Sequence, residues 1–443
     1  MLVLPPEHPQ RLLLSDEVHA RPPAALKAPS RVTYVAVLIG NEDREREAGH
    51  VADLCSRFDV DWPGLQSSHF SARLGDLSFT WERHGEFSGF TFALAGDGDG
   101  DGDGDEPAGA LLPVGWLSSL PGQTLVAAHA TLMPEPEGGV TPALLAQHFG
   151  SNTVMGAEVG GGAAIALADF RIHEGGYSRV VLLDRSLTAR QAGRSLQRLF
   201  EIEVYRMLAL LALPIAQRQL GQVAEIEAEL AALTSDIARG VVDDEALLHS
   251  ITALAVRVES ELAASQFRFG ACRAYSDLVL ARIAELRERR LAGMQTIGEF
   301  MDRRFKPAVA TCATASQRLH GLSERVARTS TLLSTRVDIT RERQNQELLA
   351  SMDRRAKMQL RLQQAVEGLS VAAIVYYVTG LIGYIAKGFK SRGVPIDVDV
   401  VIAASIPVLA VLVLLATNRA RRRALVVEWQ PGPEDRPGTR TNA

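Results

Sequence analysis

Apolar positions follow two different rhythms along this chain, and the change falls near residue 187. Before it, apolar residues alternate with polar ones or gather in short β-branched runs, as strands require. The pattern predicts strands over 32–39, 69–74, 77–83, 87–94, 125–133, 153–159, 164–173 and 178–183. Helical spacing interrupts them over 42–58, 112–120 and 142–149. The links Gly75-Asp76 and His84-Gly85-Glu86 are short enough for antiparallel hairpins, and Gly160-Gly161-Gly162 reads as a turn rather than a phosphate cradle. We expect an α+β domain over 1–185 with a largely antiparallel sheet.

After residue 187 the period becomes helical. One helix is expected over 187–213, ending at Pro214, and a second to about 237. A third covers 243–290, with Asp243 or Asp244 as N-cap, and Gly240 supplies the turn of an antiparallel hairpin. No proline lies between Pro307 and Pro395, so a single helix over 308–386 is expected, on the order of 120 Å long. Its positions Leu319, Leu322, Val326, Thr329, Leu333, Val337 and Thr340 are spaced by threes and fours. That coiled-coil stripe needs cover, from the preceding hairpin or from copies of the chain, and we expect copies, hence a homo-oligomer.

Two segments, 369–386 and 400–417, carry no charge and are long enough to cross ~30 Å of hydrocarbon. Core helices of that length show a polar stripe, which these lack. A membrane hairpin is expected, with the lipid bilayer as a partner. Arg354, Arg355, Lys357 and Arg361 precede it and Arg419, Arg421, Arg422 and Arg423 follow. Its turn carries Lys387, Lys390, Arg392, Asp397 and Asp399. The more basic outer flanks place both termini in the cytoplasm. The first residues do not read as a signal peptide. The expected plan is then a cytosolic domain over 1–185, a helical hairpin and stalk over 186–368, two spans over 369–417, and a tail over 418–443.

Composition narrows the chemistry. A net charge of −5 over 443 residues gives no case for nucleic acid. Cys55, Cys272 and Cys312 are widely spaced and form no metal or redox motif. Residues 96–105 alternate Gly and Asp, and Asp97, Asp99, Asp101 and Gly102 imitate half of a calcium loop. Ala108 stands where the bidentate glutamate belongs, so an acidic loop is expected and no metal site. No phosphate loop, dinucleotide glycine pattern, nucleophile elbow or His-Glu-x-x-His occurs, and neither a cofactor nor an enzymatic activity is assigned.

Four phrases carry a family resemblance. They are Glu17-Val18-His19-Ala20-Arg21-Pro22, Trp81-Glu82-Arg83-His84 with Glu86-Phe87, Asp169-Phe170-Arg171-Ile172-His173, and the run from Gln197 through Glu201, Tyr205 and Arg206 to Pro214. The chain resembles a bacterial family of uncharacterised proteins predicted to be membrane-anchored. That likeness implies the bacterial inner membrane as its location and brings no activity with it. The order of elements also looks like that of the CorA magnesium-channel superfamily, pentamers whose first span ends in Gly-Met-Asn. Here the matching place reads Gly380-Leu381-Ile382-Gly383-Tyr384-Ile385, without Met-Asn.

Three groups of residues are candidates for function. His19, Arg21, Glu82, Arg83, His84, Asp169 and His173 are expected to meet in a polar pocket suited to acid–base work or phosphate binding. Arg198, Glu201, Tyr205 and Arg206 share one helix face and are expected to latch the helical region to the sheet domain. Ser370, Ala373, Tyr377, Gly380, Tyr384 and Lys387 share one face of the first span, for helix packing or for lining water. The function expected is a membrane-anchored, oligomeric scaffold or sensor, and the alternative is a CorA-like channel for divalent cations.

Overall fold

The computed structural model describes residues 5–12, 14–15, 23–96, 106–240, 242–391, 395 and 397–427. The chain divides into two compact units, Met1–Ser334 and Thr335–Ala443. The first unit takes in the sheet and most of the helices, so the boundary expected at residue 185 lies inside it. His19 and Arg21, and most of the Gly/Asp tract (97–105), lie outside the described residues.

The described strands form one mixed sheet. They are β1 (Ser30–Leu38), β2 (His69–Leu74), β3 (Leu77–Arg83), β4 (Phe87–Ala95), β5 (Gln123–Pro134), β6 (Met155–Val159), β7 (Ala164–Ala168), β8 (Ser178–Asp184) and β9 (Arg289–Arg290). Their order is β2-β3-β4-β1-β5-β8-β7-β6-β9. Neighbours are antiparallel except β5 and β8, which run parallel. Central β1 is covered on both faces, which accounts for its unbroken apolar run. Val32, Tyr34 and Ala36 enter one core, while Val35 and Val37 enter another beside α1 (Arg44–Ser56). A smaller core lies where α2 (Pro142–Phe149) covers Ile165, Leu167, Val181 and Leu183.

Two local expectations fail for identifiable reasons. Strand β7 stops at Ala168 rather than at His173, because Phe170 adopts a left-handed φ of 53° and Asp169 turns its carboxylate back on Arg171 N–H at 3.2 Å. Over 112–120 no α-helix forms. Pro113 and Gly115, whose φ is +82°, break the run and leave the 3-10 turns Ala108–Leu111 and Leu117–Ser119 beside it. The glycines at 160–162 do make the β6–β7 turn, each with positive φ.

Helix α3 (Ala189–Leu210) starts in a capping box, Thr188 and Gln191 satisfying each other's backbone N–H. Next come α4 (Leu213–Arg239), closed by Gly240 at φ +64°, and α5 (Asp244–Leu286), capped by Asp243 on Ala246 N–H. Helix α6 (Ile297–Lys390) begins well before residue 308 and carries Pro307 in its interior. A proline there costs ~3 kcal/mol, which the burial of Met301, Phe305 and Cys312 on either side offsets. Its start is fixed by Glu288, whose carboxylate accepts from Ile297 and Gly298 N–H at 2.9 Å each.

The stripe expected to join copies is covered by the chain's own hairpin. Leu319, Leu322, Val326 and Leu333 of α6 pack with Val223, Ile226 and Leu230 of α4 and with Ile251, Leu254 and Val258 of α5. Arg318 adds an ion pair to Glu227 at 2.6 Å. Of the two covers considered from sequence, the first unit uses the intramolecular one.

Within the second unit, α6 continues and α7 (Val398–Val427) returns. Both contain stretches long and apolar enough to cross a membrane. The face of the first stretch that packs is not the one expected. Thr379, Gly383 and Ala386 are buried, and a Cβ on Gly383 would meet Ile402 Cδ1 at 3.0 Å. Ser370, Ala373, Tyr377, Gly380, Tyr384 and Lys387 point outward, with Tyr377 and Tyr384 70% and 77% exposed. Small residues win the contact because they let the helix backbones approach.

Candidate functional site

The sheet face under α3 builds a cleft from neighbouring strands. Thr80, Thr91 and Tyr34 stand in one cross-strand row, and Glu82 pairs with Gly89 in the next. Gly89 leaves room for the Tyr34 hydroxyl, which would lie 3.0 Å from a Cβ placed there. The Tyr34 ring stacks on Phe200 of α3 at 4.7 Å and 6°. Gly193 lets the chain at 23–26 lie against α3, since any Cβ would collide with the Ala24 carbonyl oxygen. Leu26 N–H then donates to Ala189 O at 3.0 Å. The result is a narrow cleft of about 40 Å³, lined by Pro23, Tyr34, Thr80, Glu82, Gln197 and Glu201 among others.

Two acidic groups at this cleft have raised pKa values. Burial, then the nearby Glu82, Tyr205 and Glu201, pushes the Tyr34 phenol well above its ordinary range. Burial also raises Glu201, only partly offset by its ion pair with Arg282. From there a chain of charges runs outward: Arg282 to Glu285 at 2.8 Å, and Glu285 to Arg198 at 2.8 Å.

The face expected to latch the helical region to the sheet domain chiefly joins α3 to α5 instead, and Tyr205 is its member that meets a strand. Arg198 and Glu201 reach Glu285 and Arg282, and Tyr205 stacks on Tyr275 at 5.8 Å while its edge meets Phe87 of β4. Arg206 instead pairs with Glu203 on its own helix at 2.7 Å and covers the Phe170 ring at 5.4 Å. A sheet-to-helix contact unforeseen from sequence is Glu86, which accepts from the Tyr275 hydroxyl at 2.9 Å and pairs with Arg268. Burial and then Glu86 raise the Tyr275 pKa. The available signal was the seven-residue spacing of Arg268, Tyr275 and Arg282, which puts all three on one face of α5.

The described members of the expected polar pocket fall in two places. Strands β3 and β7 have β4, β1, β5 and β8 between them, roughly 24 Å at ~4.8 Å per strand. On β3, Glu82 lines the cleft and Arg83 donates to Leu65 O at 2.9 Å. His84 follows that strand and stacks on Phe87 at 4.1 Å. Beyond β7, the buried Asp169 carboxylate bonds His173 Nε2 at 2.7 Å and accepts from Asn152 Nδ2 at 2.8 Å. His173 N–H donates to Tyr177 O, and the Tyr177 ring stacks on His129 at 3.9 Å. This second group fastens the 169–177 loop to the sheet.

Sequence also gave no hint that Cys272 of α5 and Cys312 of α6 meet. Contact with Cys272, together with burial, raises the Cys312 thiol. Among the described residues no group of three or more His, Cys, Asp or Glu gathers as a metal site.

A mixed sheet, a helical bundle locked to it by charged and aromatic pairs, and two C-terminal apolar helices define the class of this protein. The chain belongs to the family described as "Protein of unknown function (DUF3422)", whose model matches residues 6–424. No curated protein and no solved structure matches it.

Proposed function

We propose that the chain is a membrane-anchored scaffold or sensor of the bacterial inner membrane, oligomeric, with both termini in the cytoplasm. One observation carries the anchor: the apolar residues of 369–386 and 400–417 face outward. Leu369, Leu381 and Ile385 are 76%, 60% and 57% exposed, and Val411 and Leu415 are 55% and 61% exposed. So continuous an apolar surface is at home in lipid rather than in water. The role is binding rather than catalysis. Its receptor element is the Tyr34 cleft, which touches α3, and the Arg198, Glu201 and Tyr205 contacts pass a shift of α3 on to α5. Packing of α5 on α6 would carry that shift towards the anchoring helix.

Alkaline carbonate washing of cell membranes tests the anchor. The full chain should stay in the pellet, and a chain ending at Arg361 should be released. Release of the full chain would sink the proposal.

Ion conduction is the second reading. It is favoured by the outward face from Ser370 to Lys387, which is free to surround a shared axis, and opposed by Lys387 and Lys390, which repel cations at its end. Divalent-cation flux into liposomes separates the two readings.

A further inference from the structure

We propose that residues 345–369 of α6 are a parallel self-association seam, whose partner is the same stretch of other copies of this chain. The inference rests on the membrane reading above. The stripe first expected, from Leu319 to Thr340, is covered by α4 and α5 as far as Leu333. The uncovered part of the helix lies further on. Residues 338–350 are all exposed, and so are Met352, Leu362 and Val366 at 59%, 67% and 58%. A lone helix in water has little stability of its own, and its exposed apolar residues call for a partner.

The pattern identifies that partner. Asn345, Leu348, Met352, Arg355, Gln359, Leu362, Val366 and Leu369 follow alternating steps of three and four, the core positions of a heptad. Flanking core-edge positions hold Leu349, Ala356, Met358, Gln363 and Ala365, all uncharged. Charges sit on the far side, at Glu347, Asp353, Arg354, Lys357, Arg361 and Glu367, and Arg355 alone enters the seam. So broad an uncharged face suits a bundle of identical helices, because nothing on its edges selects a charged partner. The bilayer supplies orientation. Residues 345–386 belong to one continuous helix, so this stretch cannot lie flat on the surface while 369–386 spans. Copies anchored in the same way must stand parallel and at the same depth, which brings each core residue to its own counterpart. In that geometry Asn345 fixes register, and the Arg355 side chains repel one another.

Disulfide scanning of the full chain in native membranes tests the seam. The native cysteines are buried, so the unsubstituted chain is the blank. Under copper-phenanthroline oxidation, Leu348→Cys and Met352→Cys should cross-link to dimer several-fold more than Glu347→Cys, Asp353→Cys or Arg354→Cys. Even cross-linking around the helix, or none, in protein that resists carbonate would overturn the seam and leave the anchor standing. Protein released by carbonate would overturn both. In mild detergent, Leu348→Asp with Leu362→Asp should lower the scattering mass to that of one chain with helical content unchanged. Arg355→Leu should make the oligomer persist at greater dilution. An unchanged mass in the double Asp variant would contradict the proposal.

Discussion

On β5, His129 lies with Nδ1 3.1 Å from the Thr33 hydroxyl and its ring against Tyr177. Burial, then the nearby Arg179, lowers its pKa to about 4. A histidine in the unfolded chain titrates near ~6.5. Between those values the unfolded state binds a proton that the folded state refuses, so stability falls as pH drops from ~6.5 towards 4. The full shift corresponds to about 3 kcal/mol, and solvent screening at this partly exposed ring reduces it to about 1–2 kcal/mol. Urea unfolding followed by tryptophan fluorescence at pH 7, 5 and 4 should show this loss, and His129→Gln should flatten it. Parallel pH profiles for the two proteins would remove His129 from the account. Burial of this kind left no mark in the sequence, where the polar neighbours of His129 come from β1 and β8.

At the scale of elements, the bundle makes a sharp prediction. Leu322 and Val326 are each 1% exposed between α4 and α5. Changing both to Asp places two charges in an apolar core, at several kcal/mol in all. Hydrogen exchange should accelerate across α4, α5 and the first half of α6, while the β1–β4 region stays protected. Unchanged protection in α4 and α5 would contradict the packing. Most strands were legible, because alternation such as that of Leu77, Phe79 and Trp81 records one buried face directly. The parallel β5–β8 pair was not, since partner choice between strands leaves no local pattern. Pro307 concealed the start of α6, because sequence shows the penalty of a proline and not the burial that offsets it. The spacing of Leu319 to Leu333 gave the stripe without naming its cover. At the site, Arg198, Glu201 and Tyr205 were readable as one face, whereas Glu86 and Arg268, 182 residues apart, were brought together only by folding.

At the scale of the whole chain, a folded unit of sheet and bundle ends at Ser334, and the second unit holds the apolar helices. The family match runs from residue 6 to 424 and so takes in parts of both units. The account depends most on those helices crossing a bilayer as a hairpin. Its most direct test is a pair of topology reporters, one inserted at Ser391 and one fused after Ala443. With 369–386 and 400–417 as two spans and basic outer flanks, the account predicts a periplasmic signal at Ser391 and a cytoplasmic signal at the C-terminus. The same signal from both positions would contradict it.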